Sequence, residues 1–266
     1  MDGMIAYIDC KAIANRINQS TIDTIARLKA ENPELKNPVL RLNGYPDMPE
    51  NVVFSNGLRK DGELLGIDVI DNSNNGVIPD ACIQMRVNDP HIINVKHFDG
   101  GCPDVDAMGT KPAVTAAVMA IVNSYVSISG ELLKGQFVLV IGKGTVGRTV
   151  ADSFRGYGAT VCCTDSKTDI DRMYNLMEAA DIIVAAAPSN VKYKLRFKLG
   201  QKDGFPAYTT IIDVGNNFDR AAFLPARNLI ITPTKGGIGV ITRAIVMGRV
   251  VVAYQDSHGF TKRDVE

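Results

Sequence analysis

Phe137-Val138-Leu139-Val140-Ile141-Gly142-Lys143-Gly144-Thr145-Val146-Gly147 is the stretch on which the reading of this chain turns. Five apolar residues suited to a buried strand run straight into three glycines spaced GxGxxG, and helical periodicity follows from Val146 to Tyr157. Glycine is required there because the chain turns tightly, its backbone must approach a pyrophosphate, and the helix must pack close to the strand. A pyrophosphate so placed meets the amides of a helix N-terminus. The spacing alone is a weak signal. Here a second strand, Thr160 to Thr164, ends at Asp165, about 20 residues past the first glycine, where a carboxylate accepts hydrogen bonds from a ribose diol. Gly142, Lys143, Gly144, Thr145, Val146, Gly147, Asp165 and Ser166 are therefore candidate cofactor-binding residues. Asp165 favours NAD, whereas Lys143, Ser166 and Lys167 are able to neutralise the extra phosphate of NADP, so NAD is expected with NADP possible.

Outward from this loop the alternation continues: a helix over Ile170 to Ala179, a strand over Asp181 to Ala187, and apolar runs at Thr210-Ile211-Ile212 and Leu229-Ile230-Ile231. Strictly alternating strands and helices predict a doubly wound parallel sheet. Upstream, Pro112 opens an Ala- and Val-rich helix reaching Tyr125, taken as the connection between two lobes. The first third alternates as well: helix from Lys11 to Leu28, strand near Val39, helix from Val52 to Leu65, strands near Ile67 to Ile70 and Ala81 to Met85, then a loop rich in Asp, Gly and Pro from Asn88 to Gly109. The predicted fold is α/β and two-lobed: an N-terminal α/β substrate domain over 1–124, completed by a C-terminal helix over 243–266, plus a Rossmann-type doubly wound dinucleotide-binding domain over 125–242.

Composition limits the alternatives. The 266 residues are 45% apolar, enough for two cores, and 29 basic side chains balance 29 acidic ones. With no net charge there is no global field to hold nucleic acid or an anionic membrane, so neither is expected as a partner. No uninterrupted apolar run approaches the length of a spanning helix, and Met1-Asp2-Gly3-Met4 does not open a signal segment. A cytoplasmic location is expected. Cys10, Cys82, Cys102, Cys162 and Cys163 lack paired spacing, and His91, His97 and His258 do not cluster with them, so small buried thiols are expected rather than disulfides or a metal site.

Eight further segments share an order. Ile8-Asp9-Cys10-Lys11-Ala12-Ile13-Ala14, Ile83-Gln84-Met85, Asp99-Gly100-Gly101-Cys102-Pro103 and Gly109-Thr110-Lys111-Pro112 lie in the first lobe. Ala159-Thr160-Val161 through Asp165-Ser166-Lys167-Thr168, Ala180 to Ala187, Ile211-Ile212-Asp213-Val214-Gly215-Asn216-Asn217 and Thr232 to Thr242 lie in the second. In turn they resemble "hDGKxIA", "VQL", "DGFHP", "PCTP", "ATVTxxHSxT", "ADIIVAA", "VIDVGIN" and "TPVPGGVGPMT" of the methylenetetrahydrofolate dehydrogenase/methenyltetrahydrofolate cyclohydrolase family. The resemblance spans nearly the whole chain. It implies an enzyme that passes hydride from methylenetetrahydrofolate to NAD(P), a tetrahydrofolate derivative as substrate, and a homodimer. It implies catalytic roles for Gln84 and Asp99, substrate contacts from Phe54, Asp99, Gly236 and Gly237, and cofactor contacts from Val214, Gly215 and Thr242.

The pattern breaks at the family's "YxxxK" pair, whose positions fall on Phe54 and Leu58. Phenylalanine keeps a ring for stacking but lacks the hydroxyl, and leucine moves no proton. Lys60 stands roughly 200° around the helix from Leu58. Weak or absent cyclohydrolase activity is therefore expected. A bifunctional enzyme, a two-lobed dehydrogenase with another substrate, and a non-catalytic nucleotide- or folate-binding protein are the alternatives.

Overall fold

The computed structural model describes residues 5–44, 49–71, 83–87, 112–125, 133–194, 201–202, 205–206, 209–220 and 229–260. In chain order its elements are β1 (Ile5–Tyr7), α1 (Cys10–Glu31), β2 (Val39–Gly44), α2 (Pro49–Leu65), β3 (Asp68–Asp71), β4 (Ile83–Val87), α3 (Ala113–Tyr125), β5 (Phe137–Ile141), α4 (Thr145–Gly156), β6 (Thr160–Thr164), α5 (Ile170–Ala179), β7 (Ile182–Ala185), β8 (Gln201–Lys202), β9 (Phe205–Pro206), β10 (Thr209–Asp213), β11 (Leu229–Ile231) and α6 (Ile238–Ser257). The chain forms two compact units, one of Met1–Cys10 with Ala117–Ile238, the other of Lys11–Ala116 with Gly239–Glu266.

The first unit is built on a parallel six-stranded sheet in the order β1-β11-β10-β7-β5-β6. Every residue of β7 and β10 is buried, as expected for strands covered on both faces. Helix α4 buries Gly147, Val150, Ala151 and Phe154, which recur at three- and four-residue spacing. Asp169 caps α5 by accepting from the Arg172 amide, and Met173 and Met177 point into the core with Leu139, Ile141, Ile183 and Ile211.

The second unit carries the parallel sheet β3-β2-β4. Leu40 and Leu42 alternate with Arg41 along β2 and pack with Leu58 and Leu65 of α2 and with Val246, Met247 and Val250 of α6. Helix α6 is long and apolar enough over Ile238–Asp256 to pass a length-and-composition test for a membrane span, contrary to the sequence reading. Its apolar residues Val246, Met247, Val250, Val251, Ala253 and Tyr254 instead lie in the core of this unit.

The domain boundaries also differ from expectation. The N-terminal residues belong with the nucleotide sheet because β1 pairs with β11 in the register Ile5↔Leu229, and Ile8 continues it by donating to the Ile231 carbonyl at 2.9 Å. A strand of three residues is too short to show an alternating pattern in sequence, and the β8–β9 hairpin escaped notice for the same reason. Helix α3 is divided at Ala117, and the C-terminal segment of the second unit begins at Gly239 rather than 243.

Cys10 is buried, and burial, helped by the neighbouring Asp9 charge, pushes its thiol up to about 11. Cys162 and Cys163 are half-buried on β6. Cys82, Cys102, His91 and His97 lie outside the described residues, and among those described no His, Cys, Asp or Glu cluster is able to hold a metal.

Candidate active site

Strand β5 has β6 on one side and β7 on the other, so it marks the point where the strand order reverses. In open α/β sheets the crevice at the carboxyl ends of the strands beside such a point is where ligands bind. The glycine loop occupies that end. Gly142 has φ +113°, and a Cβ there would lie 2.5 Å from the Ala186 carbonyl oxygen. At Gly147 a Cβ would lie 1.8 Å from the Gly142 carbonyl oxygen, so close helix–strand packing demands glycine. Gly144 serves the third purpose: a Cβ on it would meet nothing within 4 Å. As the α4 N-cap it also brings no side-chain oxygen to compete for the first-turn amides. The cradle therefore fits a dinucleotide pyrophosphate, held by amides at the head of α4 where Thr145 and Val146 open the helix.

Asp165 lies beyond the end of β6. Its Oδ1 accepts from the Lys167 amide at 3.0 Å and the Thr168 hydroxyl at 3.3 Å, while Oδ2 lies 3.1 Å from the Lys143 Nζ of the glycine loop. The Lys143 ammonium first, then the Lys167 amide, hold the Asp165 carboxyl below the usual carboxylate range. Ser166 and Lys167 are exposed beside it.

The third element is the turn of Val214 and Gly215, expected at the cofactor, and what the sequence did not announce is the network around Asp213 that holds it. Asp213, buried at the end of β10, accepts from the Asn217 amide at 2.6 Å and the Phe218 amide at 3.1 Å, and its Oδ2 lies 3.6 Å from Nη2 of Arg220. Asn217 in turn donates to the carbonyls of Pro188 and Val191, each at 2.9 Å. Lys192 donates to the carbonyl of Asn216, whose φ is +53°. This network fixes the turn that begins with Val214 and Gly215, whose amides both donate to the Ala185 carbonyl. A Cβ on Gly215 would lie 2.3 Å from the Ala187 carbonyl oxygen, so at that position the turn has no room for a side chain. The signal was an aspartate closing an apolar strand, a place where an unpaired carboxylate would be costly. Further along, Gly236 has φ +69° and a Cβ on Gly237 would lie 2.2 Å from the Pro233 carbonyl oxygen.

In the second unit, α2 is continuous through Phe54 and Leu58. Leu58 is completely buried in the apolar cluster, and Phe54 packs partly buried against it. Lys60 is exposed, so its ammonium does not occupy the buried Leu58 position. Arg243 of α6 lies across α2 where Gly57 leaves room for it, and its Nε is 2.7 Å from Asp61 Oδ2. Thr242, expected at the cofactor, is buried in the second turn of α6. Gln84 on β4 is the register partner of the buried Arg41 on β2. Asp99 and Lys111 lie outside the described residues.

A switch-point glycine loop, a carboxylate beyond the second strand and a glycine-bearing turn after β10 define a dinucleotide-binding α/β protein. Residues 112–258 match the model of the tetrahydrofolate dehydrogenase/cyclohydrolase NAD(P)-binding domain, and the chain belongs to that family. Among its relatives, the bifunctional protein FolD of Rickettsia akari is 24% identical over 94% of this chain and 97% of its own length. The bifunctional protein FolD 2 of Desulfitobacterium hafniense is 25% identical over 93% and 96%. The solved 5,10-methylenetetrahydrofolate dehydrogenase of the silkworm, Bombyx mori, superposes with a TM-score of 0.70 at 21% identity, covering 96% of this chain and 100% of the other. That likeness confirms the two-lobed fold.

Proposed function

We propose that this chain is an NAD(P)-dependent methylenetetrahydrofolate dehydrogenase in which the hydrolysis of the methenyl product is weak or lost. A bound nicotinamide supplies the acceptor for the hydride. The protein's share is mainly positioning, because the carbon bridge loses hydride and no proton, and its two nitrogens carry the resulting positive charge. Gly142, Gly144 and Gly147 admit the pyrophosphate to the head of α4. The Asp213 network holds the turn of Val214 and Gly215, whose backbone would border the carboxamide, with no side chain at Gly215 to intrude. Phe54 keeps an apolar ring for stacking against a pterin. The family resemblance supports roles for Gln84 and Asp99 in orienting the substrate.

The second half-reaction differs, since water must lose a proton as it attacks the methenyl carbon. The observation that carries the proposed loss is Leu58: the position the family gives to a lysine is an apolar side chain sealed in the core. Phe54 brings no hydroxyl and Lys60 faces solvent on another side of α2. The relatives are named for both activities, so the two readings part on one experiment. With methenyltetrahydrofolate supplied alone, the methenyl absorbance is expected to decay at the buffer rate whatever the protein concentration. Decay that scales with protein would restore the bifunctional reading.

A further inference from the structure

The carboxylate of Asp165 is fixed by its own turn. Oδ1 accepts from two donors, the Lys167 amide and the Thr168 hydroxyl, and the Thr168 hydroxyl oxygen accepts from the Asp165 amide at 3.0 Å. Oδ1 thus has its two lone pairs engaged, and Oδ2 remains as the outward acceptor. What holds Oδ2 is Lys143, on the loop that cradles the pyrophosphate, through a pair in which both side chains are partly exposed. Exposed pairs of this kind are weak and open readily when a ligand offers something better.

A ribose with free 2′- and 3′-hydroxyls offers a donor hydrogen to Oδ2 and an acceptor oxygen to the Lys143 ammonium, so both partners keep a bond. A 2′-phosphate offers no donor to Oδ2 and brings close to two negative charges beside a carboxylate that stays ionised. Lys143, paired with Oδ2, and the exposed Lys167, two residues along the same turn and bonded to Oδ1 through its amide, nevertheless bring two cations to this part of the chain. The family pattern quoted above has histidine where this chain has Asp165.

We propose that Asp165 and Lys143 together read the 2′-position of the adenosine ribose, so that this chain uses NAD, and that Lys143 and Lys167 form a latent 2′-phosphate site which the Asp165 carboxylate closes. This rests on the dinucleotide part of the proposed function and not on its folate part.

The test is binding of NADH and NADPH to the full-length protein without folate, followed by nicotinamide fluorescence, with 5′-AMP and 2′,5′-ADP as competitors. The native chain is expected to bind NADH about 10- to 100-fold more tightly than NADPH, the size of a close like-charge repulsion at a partly exposed site. Asp165→Asn keeps an oxygen for the Lys167 and Thr168 donors while replacing Oδ2 by a donor. It is expected to bring the ratio to one or below, mostly by a gain for NADPH, and to strengthen 2′,5′-ADP as a competitor. Adding Lys143→Met is expected to remove that gain. An unchanged melting temperature confirms that the variants fold. Equal binding of the two nucleotides by the native chain, or a ratio indifferent to Asp165→Asn, would overturn the proposal. Failure to bind either nucleotide would overturn it together with the dinucleotide reading, while loss of folate turnover alone would leave it standing.

Discussion

Gly147→Ala is expected to abolish dinucleotide binding and to destabilise the nucleotide unit together. The added Cβ would stand 1.8 Å from the Gly142 carbonyl oxygen, a backbone atom with little freedom to retreat. Gly142 is itself pinned, because its amide donates to the Thr164 carbonyl at 2.8 Å and its φ is +113°. Relief requires α4 to lift from β5, which breaks the burial of Val150 and Phe154 as well as the cradle. Core overpacking of this severity belongs with the rare substitutions that cost more than about 4 kcal/mol. Gly144→Ala is the control. Its Cβ meets nothing and its φ of −68° suits any residue, so the melting temperature should hold, yet the methyl group stands where the ligand backbone approach is needed. An affinity loss of about tenfold is expected for that variant. Fluorescence titration with NADH beside a thermal melt separates the two results, and a Gly147→Ala protein that binds normally would refute the packing account of the loop.

Asp213→Ala should be nearly as damaging, by a different route. The carboxylate is the shared acceptor of the Asn217 and Phe218 amides and the partner of Arg220, all in a buried setting. Alanine leaves two amides and a guanidinium without it, and each buried donor so orphaned costs about 1–3 kcal/mol. The expected loss is about 3–5 kcal/mol, or about 10 °C in the melting of this unit. Because the network ends at Val214 and Gly215, the functional loss should fall on the nicotinamide half. NADH binding is expected to weaken more than 5′-AMP binding. Equal weakening of both would show that the loop has no bearing on the nicotinamide end.

These effects also show how the site was encoded. The glycine loop was legible because each glycine answers a steric demand that recurs at fixed spacing, and the strands of its sheet were legible because β7 and β10 are buried throughout and read as unbroken apolar runs. The Asp213 network was not legible, since its partners are mostly backbone amides, which no side-chain pattern announces. Strand β1 escaped because it is three residues long and gains its place only by pairing with β11, more than two hundred residues away in sequence. Lys143 was seen as a cation near the cofactor, but its bond to Asp165 depends on two loops brought together by the β5–β6 pairing. The arginine that crosses α2 was hidden for a similar reason: Gly57, Asp61 and Arg243 make sense only when α2 and α6 are seen packed together.

The proposed function is oxidation of methylenetetrahydrofolate with hydrolysis of the methenyl product weak or lost. It is tested most directly by mixing the purified protein with methylenetetrahydrofolate and NAD, or NADP in parallel, and following reduced nicotinamide and methenyltetrahydrofolate through their separate absorbances. The account predicts that the two products rise together in equal amounts, faster with NAD. Reduced nicotinamide rising with little methenyltetrahydrofolate would contradict the loss of hydrolysis, and no reduction with either nucleotide would contradict the dehydrogenase itself.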